Sequence, residues 1–352
     1  MRTRTMKAAR LHEAGSDFVI EDVPTPEPGP GEVLIRIGGA GACHSDLHVK
    51  SGDIPGVAFP HTLGHENAGW IESFGPGAED NGFEVGDAVV VFGGWGCGHC
   101  RFCLGGKEQL CNTFLWGGMG PEGGYAEYMV VPSVRHLLQA GALHPAEAAA
   151  LTDAALTPYS AVKKALPHLV PGTSAVLIGA GGLGQYGVQF LKLLSPAKVI
   201  VVDTDEKKRE TASELGADVT VDPRDADAAE QIRAAAGEDG VAAVLDFVGI
   251  DATMALGAEA VDRLGIFVLV GLAGGSFPYS FFSFAAEAVM TTSNWGTRNE
   301  LEEVLALAHS GRLVSAIEQH PLSAINEVFE RLATGQVPGR AVLVPGAPSS
   351  DD

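Results

Sequence analysis

Cysteine is scarce in these 352 residues: there are five, and four of them fall between Cys97 and Cys111. An odd, small number in a chain long enough to bury a full core argues against a disulfide framework, because Cys43 would be left over and no covalent staple is needed. Basic residues are also few, 23 against 44 acidic, giving a net charge of −21. So acidic a surface repels phosphate backbones and anionic headgroups, which speaks against a nucleic-acid or membrane-surface partner. Long hydrophobic runs are missing as well. Nothing reaches the roughly 18 unbroken apolar residues of a membrane span, and the polar opening Met1-Arg2-Thr3-Arg4-Thr5 lacks the apolar stretch of a secretory signal. The expectation is a soluble cytoplasmic protein that binds a small molecule.

The clustered thiols follow the spacing C-x2-C-x2-C-x7-C through Cys97, Cys100, Cys103 and Cys111 on a Gly-rich, partly charged loop. Four thiolates at such spacing suit a closed, tetrahedral, structural zinc site. An iron–sulfur cluster and an unmetallated set of thiols remain alternatives. A structural zinc orders a loop and performs no reaction, so the chemistry must lie elsewhere.

Along the chain the texture changes once. Before Leu151, short β-rich runs such as Val33 to Ile37, Asp87 to Phe92 and Ala126 to Val131 stand between Gly/Pro clusters. After it, strands and helices alternate: strands at 175–179, 198–203, 218–222, 242–249 and 265–271, with helices at 182–194, 206–215, 226–236 and 251–261 between them. Continuous apolar strands separated by helices imply a doubly wound parallel sheet of the Rossmann kind. The expected domains are a β-rich one over 1–154, to which 295–352 returns with helices at 299–310 and 323–334 and a last strand in "GRAVLVP", and a dinucleotide-binding one over 155–294.

The first turn of the alternating half is "GAGGLG", with Gly179, Gly181 and Gly184 in a G-x-G-x-x-G pattern that also contains Gly182 and Leu183. Alone the pattern is weak. Here it follows a strand and opens a helix, and nineteen residues after Gly184 comes Asp203, at the end of the next strand. That context fits a pyrophosphate at a helix N-terminus and a carboxylate on an adenosine ribose. Asp203 would repel a 2′-phosphate, so NAD is expected over NADP.

A reacting centre needs an open metal. "GACHSDLH" offers Cys43, "LGHENAG" offers His65 and "LTDAALTPYS" offers Asp153. One thiolate, one imidazole and one carboxylate neutralise Zn²⁺ and leave a fourth position for water or a substrate oxygen. Singly, each has an ordinary alternative: a satisfied core histidine, or an aspartate capping a helix.

Taken together, Gly64-His65-Glu66, Gly69, Gly75 and Ala78, with Cys43, the four-cysteine run and the Gly179–Gly184 loop in the same order, resemble the zinc-dependent alcohol dehydrogenases of the medium-chain dehydrogenase/reductase family over essentially the whole chain. The resemblance implies a GroES-like catalytic domain beside the Rossmann domain, two zinc ions per chain and NAD. It makes Cys43, His65 and Asp153 the catalytic zinc ligands, although many members carry cysteine where Asp153 stands. Glu66 is similar to a glutamate near the zinc, and Asp46 to a carboxylate that orients the zinc-bound histidine. Ser45 corresponds to the hydroxyl that accepts the alcohol proton, and His48 to the imidazole that passes it on. Thr157, Val248, Val270 and Leu272 correspond to residues lining the nicotinamide, and Arg340 to a pyrophosphate contact. Trp95, Trp116 and Trp295, with Phe281 and Phe282, are expected to border the substrate. The implied reaction is reversible oxidation of alcohols, with secondary or aromatic ones favoured; primary alcohols or polyols are the alternative, and a non-catalytic nucleotide-binding zinc scaffold is the reading from another class. The resemblance further implies a homo-oligomer, a tetramer before a dimer.

Overall fold

The structure, a computed structural model, describes residues 4–54 and 56–346; residues 1–3 and 347–352, the outer ends of the expected domain ranges, lie outside it. The chain divides into two compact units, one running to Ala154 and resuming at Thr297, the other Ala155–Gly296. The second unit keeps Trp295 and Gly296, so the return falls two residues later than the composition implied.

The first unit is built on strand Val33–Gly41, whose near-continuous burial reflects neighbours on both sides. It pairs antiparallel with Glu66–Phe74, with Tyr128–Val131 and with Arg340–Val344. Ala88–Val91 and Leu137–Gln139 extend the sheet one way, and Ile317–Pro321, parallel to Arg340–Val344, extends it the other. Thus the C-terminal strand completes the N-terminal sheet. A smaller sheet of Thr5–Leu11, Val19–Pro24 and His61–Thr62 packs with it. Ile35, Ile37, Ile71, Val89, Val91, Tyr125, Met129 and Phe329 are among the residues that fill the core.

In the second unit six parallel strands lie in the order Val219–Val221, Lys198–Val202, Ser174–Ile178, Val241–Asp246, Ile266–Leu269, Val289–Thr292. Counted in chain order this is third, second, first, fourth, fifth, sixth, the arrangement of two mononucleotide-binding halves. Helices Gly182–Leu194, Glu206–Glu214, Ala228–Ala236 and Asp251–Ala260 supply the first four crossovers. Two strands are not evident in the sequence. Val289–Thr292 is a half-exposed edge strand with no continuous apolar run, and Ile317–Pro321 carries Glu318, Gln319 and His320.

Candidate active site

Cys43 lies two residues past strand Val33–Gly41 and is the N-cap of helix His44–Ser51, so its sulfur sits at a strand-to-helix corner. Three residues on, Asp46 turns back and accepts from the Cys43 amide at 3.1 Å, which ties the corner shut. His65 follows Gly64, whose φ of +100° only glycine adopts easily, and its imidazole Nδ1 lies 3.1 Å from Asp46 Oδ1. Asp153 ends a short 3-10 turn, Ala150–Thr152. It does not cap the following helix, which is entered through Ala155.

These elements bring Cys43, His65, Glu66 and Asp153 together, each offering a ligand atom within 4.8 Å of the others and each buried. Cys43 Sγ and His65 Nε2 both lie 3.6 Å from Asp153 Oδ2. A tetrahedral zinc with ordinary bond lengths has S–O edges of about 3.6 Å and N–O edges of about 3.4 Å, so the donor set fits such an ion. The charge around it agrees. Burial opposes ionisation of the Cys43 thiol, but the charge of Arg340 and the hydrogen bond from His65 outweigh it and hold the thiol below its usual value. Burial likewise opposes a charged His65, yet Asp46, Asp153 and Cys43 together raise it well above the usual imidazole. The group thus wants a cation at its centre.

Glu66 belongs to the group by distance, but its carboxylate is held elsewhere. Oε2 accepts from Arg340 Nε at 2.9 Å, Oε1 pairs with the other arm of the same guanidinium, and that arm also lies 3.5 Å from Asp153 Oδ2. Arg340, which the resemblance assigns to a pyrophosphate, is itself only 3% exposed. Its fork is spent on the two carboxylates of the metal group.

Ser45 Oγ lies 3.7 Å from Cys43 Sγ, and His48, one turn further along the same helix, has Nδ1 3.5 Å from Asp53 Oδ2. The edge-on ring of Trp116 comes within 5.0 Å of the His65 ring, centroid to centroid. Trp95 does not join it. In the hairpin of Gly94–Trp95 with Leu115–Trp116, Trp95 pairs with Leu115 and Trp116 with Gly94, so the two indoles emerge on opposite faces. Trp95 is buried in the core, donates to the Phe92 carbonyl, and lines a separate cavity of about 500 Å³ that none of the four ligands borders. Trp295 is buried in the second unit, whereas Phe281 and Phe282 are exposed there. The substrate-facing role expected of Trp95 has no support in this geometry.

The second cluster is the cysteine cage. Its four sulfurs also lie within 4.8 Å of one another, with Cys97–Cys103 and Cys100–Cys103 separations of 3.9 and 3.5 Å. Zinc–sulfur bonds of about 2.3 Å give tetrahedral edges of about 3.8 Å. The thiols titrate in opposite directions: the Cys97 amide and Thr113 draw Cys111 down to about 6, whereas burial and the neighbouring sulfurs push Cys103 up to about 12. A divalent cation would resolve that conflict by accepting all four as thiolates.

In the second unit, Gly181 caps the helix Gly182–Leu194. Gly179 has φ +92°, and a Cβ on Gly184 would overlap the Gly179 carbonyl, whereas a Cβ on Gly181 would meet nothing. The loop is therefore tight at its ends and open at its centre, the shape that admits a pyrophosphate. Asp203 Oδ2 accepts from the Ala180 amide at 2.7 Å, which sets the carboxylate beside that opening. Thr157 and Val270 are buried, Val248 packs over Gly179, and Leu272 is exposed.

Two contacts of consequence carry no signal in the sequence. Tyr125 donates to Asp46 from 79 positions away, and the Arg340–Glu66 pair spans 274.

Residues 29–141 match the alcohol dehydrogenase GroES-like domain, and residues 182–310 the zinc-binding dehydrogenase family. A D-arabinose 1-dehydrogenase (NADP(+)) of Saccharolobus solfataricus is 38% identical over 96% of this chain and 97% of its own. An NAD-dependent alcohol dehydrogenase of Sulfurisphaera tokodaii is 36% identical over 97% and 100%. Among solved structures, acetophenone reductase from Geotrichum candidum in complex with NAD superposes with a TM-score of 0.86 at 33% identity, covering 97% of both chains. Likeness of this extent, over both units and through both sulfur-containing clusters, makes the chain a member of the zinc-dependent alcohol dehydrogenases of the medium-chain dehydrogenase/reductase family.

Proposed function

We propose that this protein is a zinc- and NAD-dependent alcohol dehydrogenase that interconverts alcohols and carbonyls, with secondary and aryl alcohols as its substrate class. The observation that carries the reading is the buried convergence of Cys43, His65 and Asp153, three donors of different chemistry drawn from distant stretches. Zinc bound there supplies Lewis acidity towards a substrate oxygen, and NAD supplies the hydride acceptor. Cys43, His65 and Asp153 hold the ion, and Asp46 fixes the His65 tautomer by accepting from Nδ1. Ser45 takes the alcohol proton through its Oγ, and His48, next on that helix face, moves it outward past Asp53. Gly179–Gly184 receives the pyrophosphate, and Asp203 accepts from the adenosine ribose.

Choice of NAD rests on Asp203. Beside it, one arm of Arg209 is held to the Asp203 carbonyl at 2.7 Å and to Asp222 at 3.1 Å, which favours a ribose hydroxyl over a 2′-phosphate at this carboxylate. The aryl preference rests on Trp116, whose indole against His65 offers an apolar wall to a flat ring. The D-arabinose dehydrogenase among its relatives supports a polyol or aldose instead, and the assay includes it. Reduction of NAD and of NADP is followed with 1-phenylethanol, 2-butanol, ethanol, benzyl alcohol and D-arabinose. Highest kcat/KM on 1-phenylethanol with NAD is expected; highest on D-arabinose, or inactivity on all five, overturns the reading.

Among the described residues no helix is long and apolar enough to cross a membrane. We place the enzyme in the cytoplasm as a homotetramer. Phe281 and Phe282, 90% and 94% exposed, and an outer strand, Val289–Thr292, that pairs on one side support further assembly. Sizing with light scattering tests it.

A further inference from the structure

Resting on the reading that Cys43, His65 and Asp153 hold a metal, we infer that Tyr125 is a positioning residue for that metal, acting through Asp46. The Tyr125 hydroxyl lies 2.7 Å from Asp46 Oδ2 and 3.0 Å from the Gly41 carbonyl. A phenol has one proton to give, and the shorter contact to a carboxylate is the stronger acceptor. Asp46 is then gripped at both ends: Oδ2 accepts from the Tyr125 hydroxyl and the Cys43 amide, and Oδ1 faces His65 Nδ1. One carboxylate therefore couples the backbone of the sulfur ligand to the ring of the nitrogen ligand, and Tyr125 sets its angle.

Tyr125 can hold that angle because it cannot move. Its side chain is fully buried, with Phe18 and Phe329 edge-on at 6.1 and 5.9 Å between centroids. Its amide donates to the Leu63 carbonyl and its carbonyl accepts from the Ala9 amide. A Cβ on Gly64 would strike the Tyr125 ring, so the same side chain backs the residue that precedes His65. Ring and hydroxyl together fix the histidine from behind and from the side.

The test compares the full-length, zinc-loaded protein with Tyr125→Phe, which keeps the ring and removes the hydroxyl. Zinc is titrated away with a chromophoric chelator, and the four-cysteine site of the same molecule serves as reference. Expected is about a tenfold loss of affinity at the Cys43 site, with the four-cysteine site unchanged. The visible bands of cobalt exchanged into the Cys43 site should shift as well. In an Asp46→Asn background the same substitution should bring no further loss. Superposable cobalt spectra with unchanged zinc release, equal weakening of both sites, or a full loss that persists without Asp46 each overturns the inference. Wild-type protein that binds one zinc per chain, with the count unchanged by Cys43→Ala, overturns the metal reading itself, and the inference with it.

Discussion

At the scale of the residue, charge buried without water decides the outcome. Arg340 sits in the first unit with its guanidinium across Glu66 and near Asp153, all three almost fully buried. Removing the cation leaves the Glu66 carboxylate buried without its partner, which costs about 3–5 kcal/mol. Arg340→Gln should therefore lower the urea-unfolding free energy by about that much, and adding Glu66→Gln should restore part of it. A single variant as stable as the parent would show the pair to be idle. His136 illustrates the opposite case. Burial, helped by Arg135 and Arg298, pulls its imidazole down to about 3, and Nδ1 has no hydrogen-bond partner among the described residues. The folded state thus takes up a proton later than the unfolded chain, whose histidine titrates near 6.5. Stability from this group is full above about pH 6.5 and is lost as pH falls towards 3, by about 1.4 kcal/mol per unit. Relative to its own value at pH 7.5, wild-type protein at pH 5 should lose about 2 kcal/mol more than His136→Gln does. Parallel curves for the two proteins would refute this.

At the scale of the element, legibility followed how local the cause was. The alternating strands and helices of the second unit were readable because a strand buried on both faces needs a continuous apolar run, as Ser174–Ile178 and Lys198–Val202 have. Val289–Thr292, at the sheet's edge, needs none and left no trace. The donors Cys43, His65 and Asp153 were legible as residue types; the clamp of Tyr125 on Asp46 and the lock of Arg340 on Glu66 were not, because only the fold makes them neighbours. The glycine loop separates fold from ligand. Gly181→Ala puts its Cβ where the protein has no atoms, so Tm should hold while NAD affinity falls more than tenfold, read by calorimetry. Gly184→Ala strikes the Gly179 carbonyl and should lower Tm as well. Equal effects of both on stability would contradict this division. The cysteine lobe makes the same point about metal. Its helix Arg101–Leu104 buries no residue, and Leu104, Leu110 and Leu115 face solvent. Cys100→Ser/Cys103→Ser should thus open the segment 94–116 to limited proteolysis, and a lobe still resistant after zinc loss would mean that packing suffices.

At the scale of the whole molecule, the acid excess acts on everything at once. A net charge of −21 has few cations to offset it, and several of those are already paired, as Lys192 is with Asp218, Arg224 with Asp222 and Arg331 with Glu318. Such exposed pairs contribute little individually, about 0–1 kcal/mol, so the remaining carboxylates repel one another across the surface with little relief. Salt weakens both effects, but repulsion summed over the unpaired acids is the larger and the longer in range. At 0.1 M salt the screening length is about 10 Å, and at 1 M about 3 Å. Raising potassium chloride from 0.02 to 1 M, as rough limits of that range, should therefore raise Tm by several degrees, whereas loss of the ion pairs alone would lower it. A Tm that falls with salt would mean that the pairs, and not the net charge, govern the stability of the fold.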